Sequence, residues 1–140
     1  KWDSETAPEP VLAAVASRLR TEIPDLLAVY AFDSRVQGDA GAGSDLDLAV
    51  LVPGYADAVM LWRLSGDLAE LAGCPVDLLD LRAASSVMQD QVLTHGRRLW
   101  ASGSQADFFE VAALNEKLML DQRRAGLLAD IAQRGTVYGR

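Results

Sequence analysis

Three aspartates carry the chemistry this chain offers. Asp45 and Asp47 lie two apart at the head of an extended apolar run, so on a strand their side chains leave one face, roughly 6.5 to 7 Å apart at the backbone. Leu46, Leu48, Val50 and Val52 point the other way, which predicts one core face and one face that opens with two negative charges. Asp77, within Val76-Asp77-Leu78-Leu79, is a carboxylate where packing favours valine or isoleucine. Such a charge inside a sheet costs several kcal/mol, on the order of a whole buried side chain, unless it is paired or metal-bound. No lysine or arginine lies near enough in sequence to serve all three. Hard divalent cations answer the need, and Mg²⁺ takes carboxylate oxygens together with substrate phosphates. Two ions about 4 Å apart activate an attacking oxygen and stabilise a leaving one, the clamp used in phosphoryl or nucleotidyl transfer. The plain alternatives are a solvated turn edge for Asp45 and Asp47 and an edge position for Asp77. Their joint occurrence is more specific than either part.

The elements that must position these groups follow from apolar spacing. Val11, Leu12, Val15 and Leu19, with Pro10 in the first turn, predict a helix over 10–21 that Pro24 closes. The apolar run 26–32 reads as a buried strand, followed at once by the polar Asp33-Ser34-Arg35. Ser34 supplies a hydroxyl, and the amides after it suit an anion. Turn-formers fill 38–44, a second strand spans 45–52, and Val59, Trp62, Leu64, Leu68 and Leu71 predict a helix over 57–72 covering the sheet. A third strand over 76–81, a helix over 85–94, a short strand over 98–101 and one long helix from 105 to about 133 complete the chain. This order places the protein in the α/β or α+β class, a small mixed sheet with helices packed on it. The expected organisation is a polar tail (1–9), a core (10–103) and a C-terminal helical segment (104–140) within a single domain.

Composition narrows the functional classes. The 140 residues suit one domain, half of them are apolar, and the formal charge of -7 lacks the footprint of a protein that tracks nucleic acid. One cysteine, Cys74, builds neither a disulfide nor a cysteine-rich zinc site, and a reducing cytoplasm fits. One histidine, His95, removes most histidine-based triads; it is expected at a helix C-terminus before Gly96. No stretch reaches the roughly 18 apolar residues of a membrane span. Cys74, Trp62 and Trp100 are expected in the core, and Trp2 lies in the polar tail. The long helix carries Phe108, Phe109, Val111, Leu114, Leu118, Met119, Leu127, Leu128 and Ile131, more apolar surface than a small sheet needs. It is therefore expected to meet another chain, with Arg123, Arg124 and Arg134 either pairing with a partner or solvated.

Phe32-Asp33-Ser34-Arg35, Gly38 and Ser44-Asp45-Leu46-Asp47-Leu48 together resemble the Gly-Ser, ten residues, Asp-x-Asp signature of the DNA polymerase β superfamily of nucleotidyltransferases. The short length, the Val76-Asp77-Leu78-Leu79-Asp80-Leu81 strand and the Gly135-Thr136-Val137-Tyr138-Gly139 ending are most similar to its minimal nucleotidyltransferases (MNT), the antitoxins encoded beside HEPN-domain toxins. The resemblance implies a polymerase β-like fold and Mg²⁺-dependent transfer of AMP from ATP to a tyrosine of a partner HEPN ribonuclease, which silences it. It implies that Ser34 holds the nucleotide phosphates, with Arg35 and the Asp33 backbone beside it. It further implies that Asp45, Asp47 and Asp77 hold two metal ions, and that Asp77 also draws the proton from the attacking hydroxyl.

Asp33 departs from this pattern, standing where the family has glycine before the serine. Like charges about 5 Å apart at an effective dielectric near 20 repel by roughly 3 kcal/mol before Mg²⁺ screens them, which would weaken nucleotide affinity by about two decades. Two further readings follow: an antitoxin with weakened catalysis that neutralises its toxin by docking, and a small-molecule nucleotidyltransferase of the aminoglycoside-modifying kind, whose acidic surface suits cationic drugs.

Overall fold

The computed structural model describes residues 7–33 and 46–134. The element order is α1 (Glu9–Glu22), β1 (Ala28–Phe32), β2 (Leu46–Leu51), α2 (Ala58–Ala72), β3 (Val76–Asp80), α3 (Ser86–His95), β4 (Arg97–Ala101) and α4 (Gln105–Arg134). Each predicted element is present within one or two residues of its expected bounds. The four strands form one mixed sheet in the order β3-β2-β1-β4, with β1 antiparallel to both neighbours and β2 parallel to β3.

Local chemistry starts and stops the helices. Pro10 sits in the first turn of α1, where its missing N–H costs no hydrogen bond. Asp57 caps α2 by accepting from the Val59 N–H at 3.3 Å, and Gly73 ends it in the left-handed conformation, φ 74°. Ser85 caps α3 through the Met88 N–H at 3.1 Å. His95 is the last residue of that helix, as expected, and Gly96 follows it.

Both faces of the central strands, β1 and β2, are buried. Leu46, Leu48 and Val50 of β2 pack under α1 and α2, against Val15, Leu19, Leu61, Leu64 and Leu68. Ala49 and Leu51 face the other way, with Ala28, Tyr30 and Phe32 of β1, and are covered by Val92 of α3 and Ala106 of α4. This corrects the expectation of an open second face for β2: every residue of that strand is buried.

The α2 phase also differs from expectation. Its buried stripe is Leu61, Leu64, Leu68 and Ala72, while Val59, Leu71 and Trp62 are exposed, Trp62 by 79%. Four aliphatic positions repeating every three or four residues outvote one indole, since together they bury more apolar surface than Trp62 alone. Trp100 lies at the core margin, half-buried, with the Arg20 guanidinium 4.6 Å from its ring centroid. Cys74 is buried, as expected of a small packing residue.

Candidate functional site

The site is built where the β1, β2 and β3 termini meet. Phe32, the last residue of β1, pairs with Asp47 of β2, and Asp47 pairs across the parallel ladder with Asp77 of β3. Register partners on neighbouring strands share a face and stand about 4.8 Å apart, so Asp47 and Asp77 are side by side. Residues 30 apart in sequence are thereby brought together. Asp33, half-buried, follows directly after β1.

The two carboxylates have different surroundings. Asp47 is 3% exposed, on the face lined by Tyr30, Phe32, Ala49 and Leu51. Asp77 is exposed, because β3 is an edge strand. The expectation that Asp77 sits in the sheet interior is therefore corrected; of the pair, Asp47 is the buried member. Ser34, Arg35 and Asp45, expected beside them, lie outside the described residues, as do Gly38 and the chain ending at 135–140.

Two adjacent carboxylates at one sheet end are a hard-oxygen donor set of the type Mg²⁺ prefers, so the residues present fit a divalent cation. Among the described residues no group of three or more potential ligands converges, and the expected third member, Asp45, is not among them.

Two polar constellations had no sequence signal. At the opposite end of the sheet, buried Asp80 accepts from the Ala56 N–H at 2.8 Å and the Arg82 N–H at 3.1 Å, latching the loop that leads into α2. Arg82 in turn donates to the Val52 carbonyl and lies over the Phe109 ring. Beside the site face, the buried Tyr30 hydroxyl donates to Glu110 of α4 at 2.6 Å. Arg98 of β4 donates to the same Glu110 oxygen at 3.0 Å and to Asp107 at 2.8 Å. Burial and the Glu110 carboxylate push the Tyr30 hydroxyl above the ordinary tyrosine range. The Asp107 hydrogen bond, with Glu110 adding to it, holds Arg98 protonated. The partners stand far apart in sequence, so no local pattern announces them.

A mixed four-stranded sheet with paired carboxylates where strands adjoin defines a class, and comparison agrees. Residues 15–105 match the Polymerase beta, Nucleotidyltransferase family, and the chain belongs to it. Among known members, protein adenylyltransferase MntA of Shewanella oneidensis is 36% identical over 113 residues, 81% of each protein. A chain in the solved complex of tri-AMPylated Shewanella oneidensis HEPN toxin with MNT antitoxin superposes with TM-score 0.69 at 31% identity, covering 89% of this chain and 98% of that one. A toxin-antitoxin structure with AMP-PNP gives TM-score 0.67 at 34% identity, over 86% and 98% respectively. The fold is thus the polymerase β-like nucleotidyltransferase fold expected from the motif. No helix among the described residues is long and apolar enough to cross a membrane.

Proposed function

We propose that this protein is the antitoxin of a HEPN toxin-antitoxin pair and silences its toxin by transferring AMP from ATP to a toxin tyrosine. The observation that carries the proposal is the Asp47–Asp77 register pair in a chain 36% identical to a protein adenylyltransferase. The tyrosine hydroxyl oxygen attacks the α-phosphorus of ATP, the bond to the β-phosphate oxygen breaks, and pyrophosphate leaves. Asp77, exposed where an acceptor arrives, takes the hydroxyl proton. Asp47, packed into the sheet, holds its carboxylate without reorganisation, and Asp45 completes the set. Two Mg²⁺ ions, when bound to these carboxylates, offset the triphosphate charge. Ser34, Arg35 and the Asp33 backbone hold the nucleotide phosphates.

The toxin-binding surface in this reading is the outward side of α4. Phe108, Val111, Leu118 and Met119 recur there at helical spacing and are exposed, Phe108 by 71%. Beside them Arg82, Gln105, Phe108, Phe109 and Ala112 line a groove of about 440 Å³. The relatives found in complexes with HEPN toxin support a partner of that kind. The work is placed in the cytoplasm, where ATP and a ribonuclease target coexist.

Asp33 in the glycine position favours a second reading, in which transfer is slow and docking alone neutralises the toxin. One experiment separates them: incubate the protein with labelled ATP, Mg²⁺ and the neighbouring toxin, and measure AMP on tyrosine. Label above the Asp45→Ala and Asp47→Ala controls is expected. Label no greater than those controls, with toxin still captured, selects the docking reading. An Asp33→Gly variant with no gain in labelling would refute the charge-repulsion argument.

A further inference from the structure

The longest element of the protein has its deepest burial, among the described residues, at its N-terminal end. α4 has 30 residues and so runs about 45 Å, against roughly 17 Å for a five-residue strand. Among its described residues Ala106 alone is fully buried, and Phe109, Glu110, Ala113, Lys117, Leu120, Asp130 and Ile131 are half-buried, whereas residues 121–129 are all exposed. Its deepest packing lies in its first three turns.

Ala106 and Phe109 supply the apolar contact in those turns, joining the cluster of Leu81 and Val92, and Phe109 also carries Arg82 over its ring. The directional contacts there are polar. Arg98 reaches Asp107 and Glu110, one helical turn apart, from a single Nη1 atom, and Tyr30 closes the triangle on Glu110 from the sheet side. Arg98 stands beside a register break: β4 pairs Trp100 with Val29 but Arg98 with Tyr30, so Leu99 is the extra residue that turns Arg98 toward Tyr30. Tyr30 shares its sheet face with Asp47, two residues before the Phe32 that pairs with it. The clamp thus ties the helix to the same strand whose end borders the carboxylates.

We propose that Arg98, Tyr30 and the two α4 carboxylates they hold form a positioning clamp that fixes the heading of α4 and, through it, the placement of a docked partner's acceptor at the Asp47 and Asp77 end. This rests on the functional reading above, in which the partner binds along α4. Leverage gives the clamp its effect. A swing of about 10° at the first turn moves the far end of a 45 Å helix by about 8 Å, whereas a reacting oxygen must stand about 3 to 3.5 Å from its target. Neither residue touches nucleotide in this scheme.

The test measures AMP transfer to saturating toxin in single turnover, ATP half-saturation, and amide hydrogen exchange. Tyr30→Phe keeps the ring and removes one contact; Arg98→Gln removes two. Transfer at saturating toxin should fall about threefold in Tyr30→Phe and at least tenfold in Arg98→Gln. ATP half-saturation should stay within twofold of wild type, and exchange should rise over 105–113 but not in β1 or β2. Unchanged transfer in Tyr30→Phe overturns the proposal, as does a loss of transfer matched by loss of ATP affinity. If Arg98→Gln fails to fold, Tyr30→Phe decides alone. If wild type transfers no AMP, the functional reading fails instead; faster exchange confined to 105–113 in Tyr30→Phe, with weaker toxin capture, then upholds the clamp, and unchanged exchange overturns it.

Discussion

Replacing Asp47 by asparagine should stabilise the protein while ending its activity. Asp47 is buried beside Asp77 in register, about 4.8 Å away across the parallel ladder. Two carboxylates about 5 Å apart at an effective dielectric near 20 repel by roughly 3 kcal/mol. Asp77 is exposed, so solvent screening cuts this to about 1 kcal/mol. Asparagine keeps the shape and removes the charge, and for a domain of this size about 1 kcal/mol corresponds to a rise in Tm of about 3 to 4 °C. The assay is differential scanning calorimetry of wild type and Asp47→Asn, each with EDTA and then with Mg²⁺ and ATP. Without cation the variant should melt higher. With Mg²⁺ and ATP the order should invert, because only wild type gains linkage stabilisation from binding. A variant that melts several degrees lower without cation, or that keeps the full Mg²⁺-ATP shift, would show that Asp47 is held by contacts unrelated to a cation and would sink the site assignment.

Three further outcomes are expected. Gly96→Ala should destabilise by about 3 kcal/mol and lower activity, because an added Cβ would overlap the Val92 carbonyl oxygen and stand 2.8 Å from the Ala31 carbonyl, next to Phe32 at the site; urea unfolding checks it. Asp80→Ala should cost about 1 to 3 kcal/mol by leaving the Ala56 and Arg82 N–H groups without their acceptor, yet leave the thermal shift with Mg²⁺ and ATP at its wild-type size. The folded state holds the Tyr30 proton more tightly than the unfolded chain does, so its contribution is complete below about pH 10 and fades as pH rises beyond that. Melting curves from pH 9 to 11 should therefore fall more steeply for wild type than for Tyr30→Phe, and parallel curves would refute the assigned cause.

Strand and helix bounds were legible because apolar periodicity and caps are local signals, as Pro10, Ser85 and the 26–32 run illustrate. The α2 phase was not. With Val59, Leu61, Trp62, Leu64, Leu68 and Leu71 all apolar, two stripes compete within one helix, and the sheet beneath selects the one through Leu61 and Leu68. Whether β3 lies at the edge or the centre of the sheet is a property of strand order, which a run of residues does not encode, so the exposure of Asp77 was hidden too. The pairing of Asp47 with Asp77 was anticipated from chemistry, since two carboxylates in apolar strands call for a common purpose. The Tyr30 and Glu110 contact bridges 80 positions and follows no periodic rule.

The two faces of the sheet divide the work. Leu46, Leu48 and Val50, under α1 and α2, belong to a mainly aliphatic cluster, and that layer supplies cohesion. The opposite face carries Asp47, Asp77, Tyr30 and Arg98, and it is covered by α3 and by a helix held through charged contacts. Placing the cohesive layer behind β2 lets the other face spend stability on a buried carboxylate and on a helix whose apolar side is left exposed. In the proposed function both costs are offset by binding: cations and nucleotide would neutralise the first, and a docked partner would cover the second. Stability of this chain should therefore depend on its ligands more than the size of its core alone would suggest.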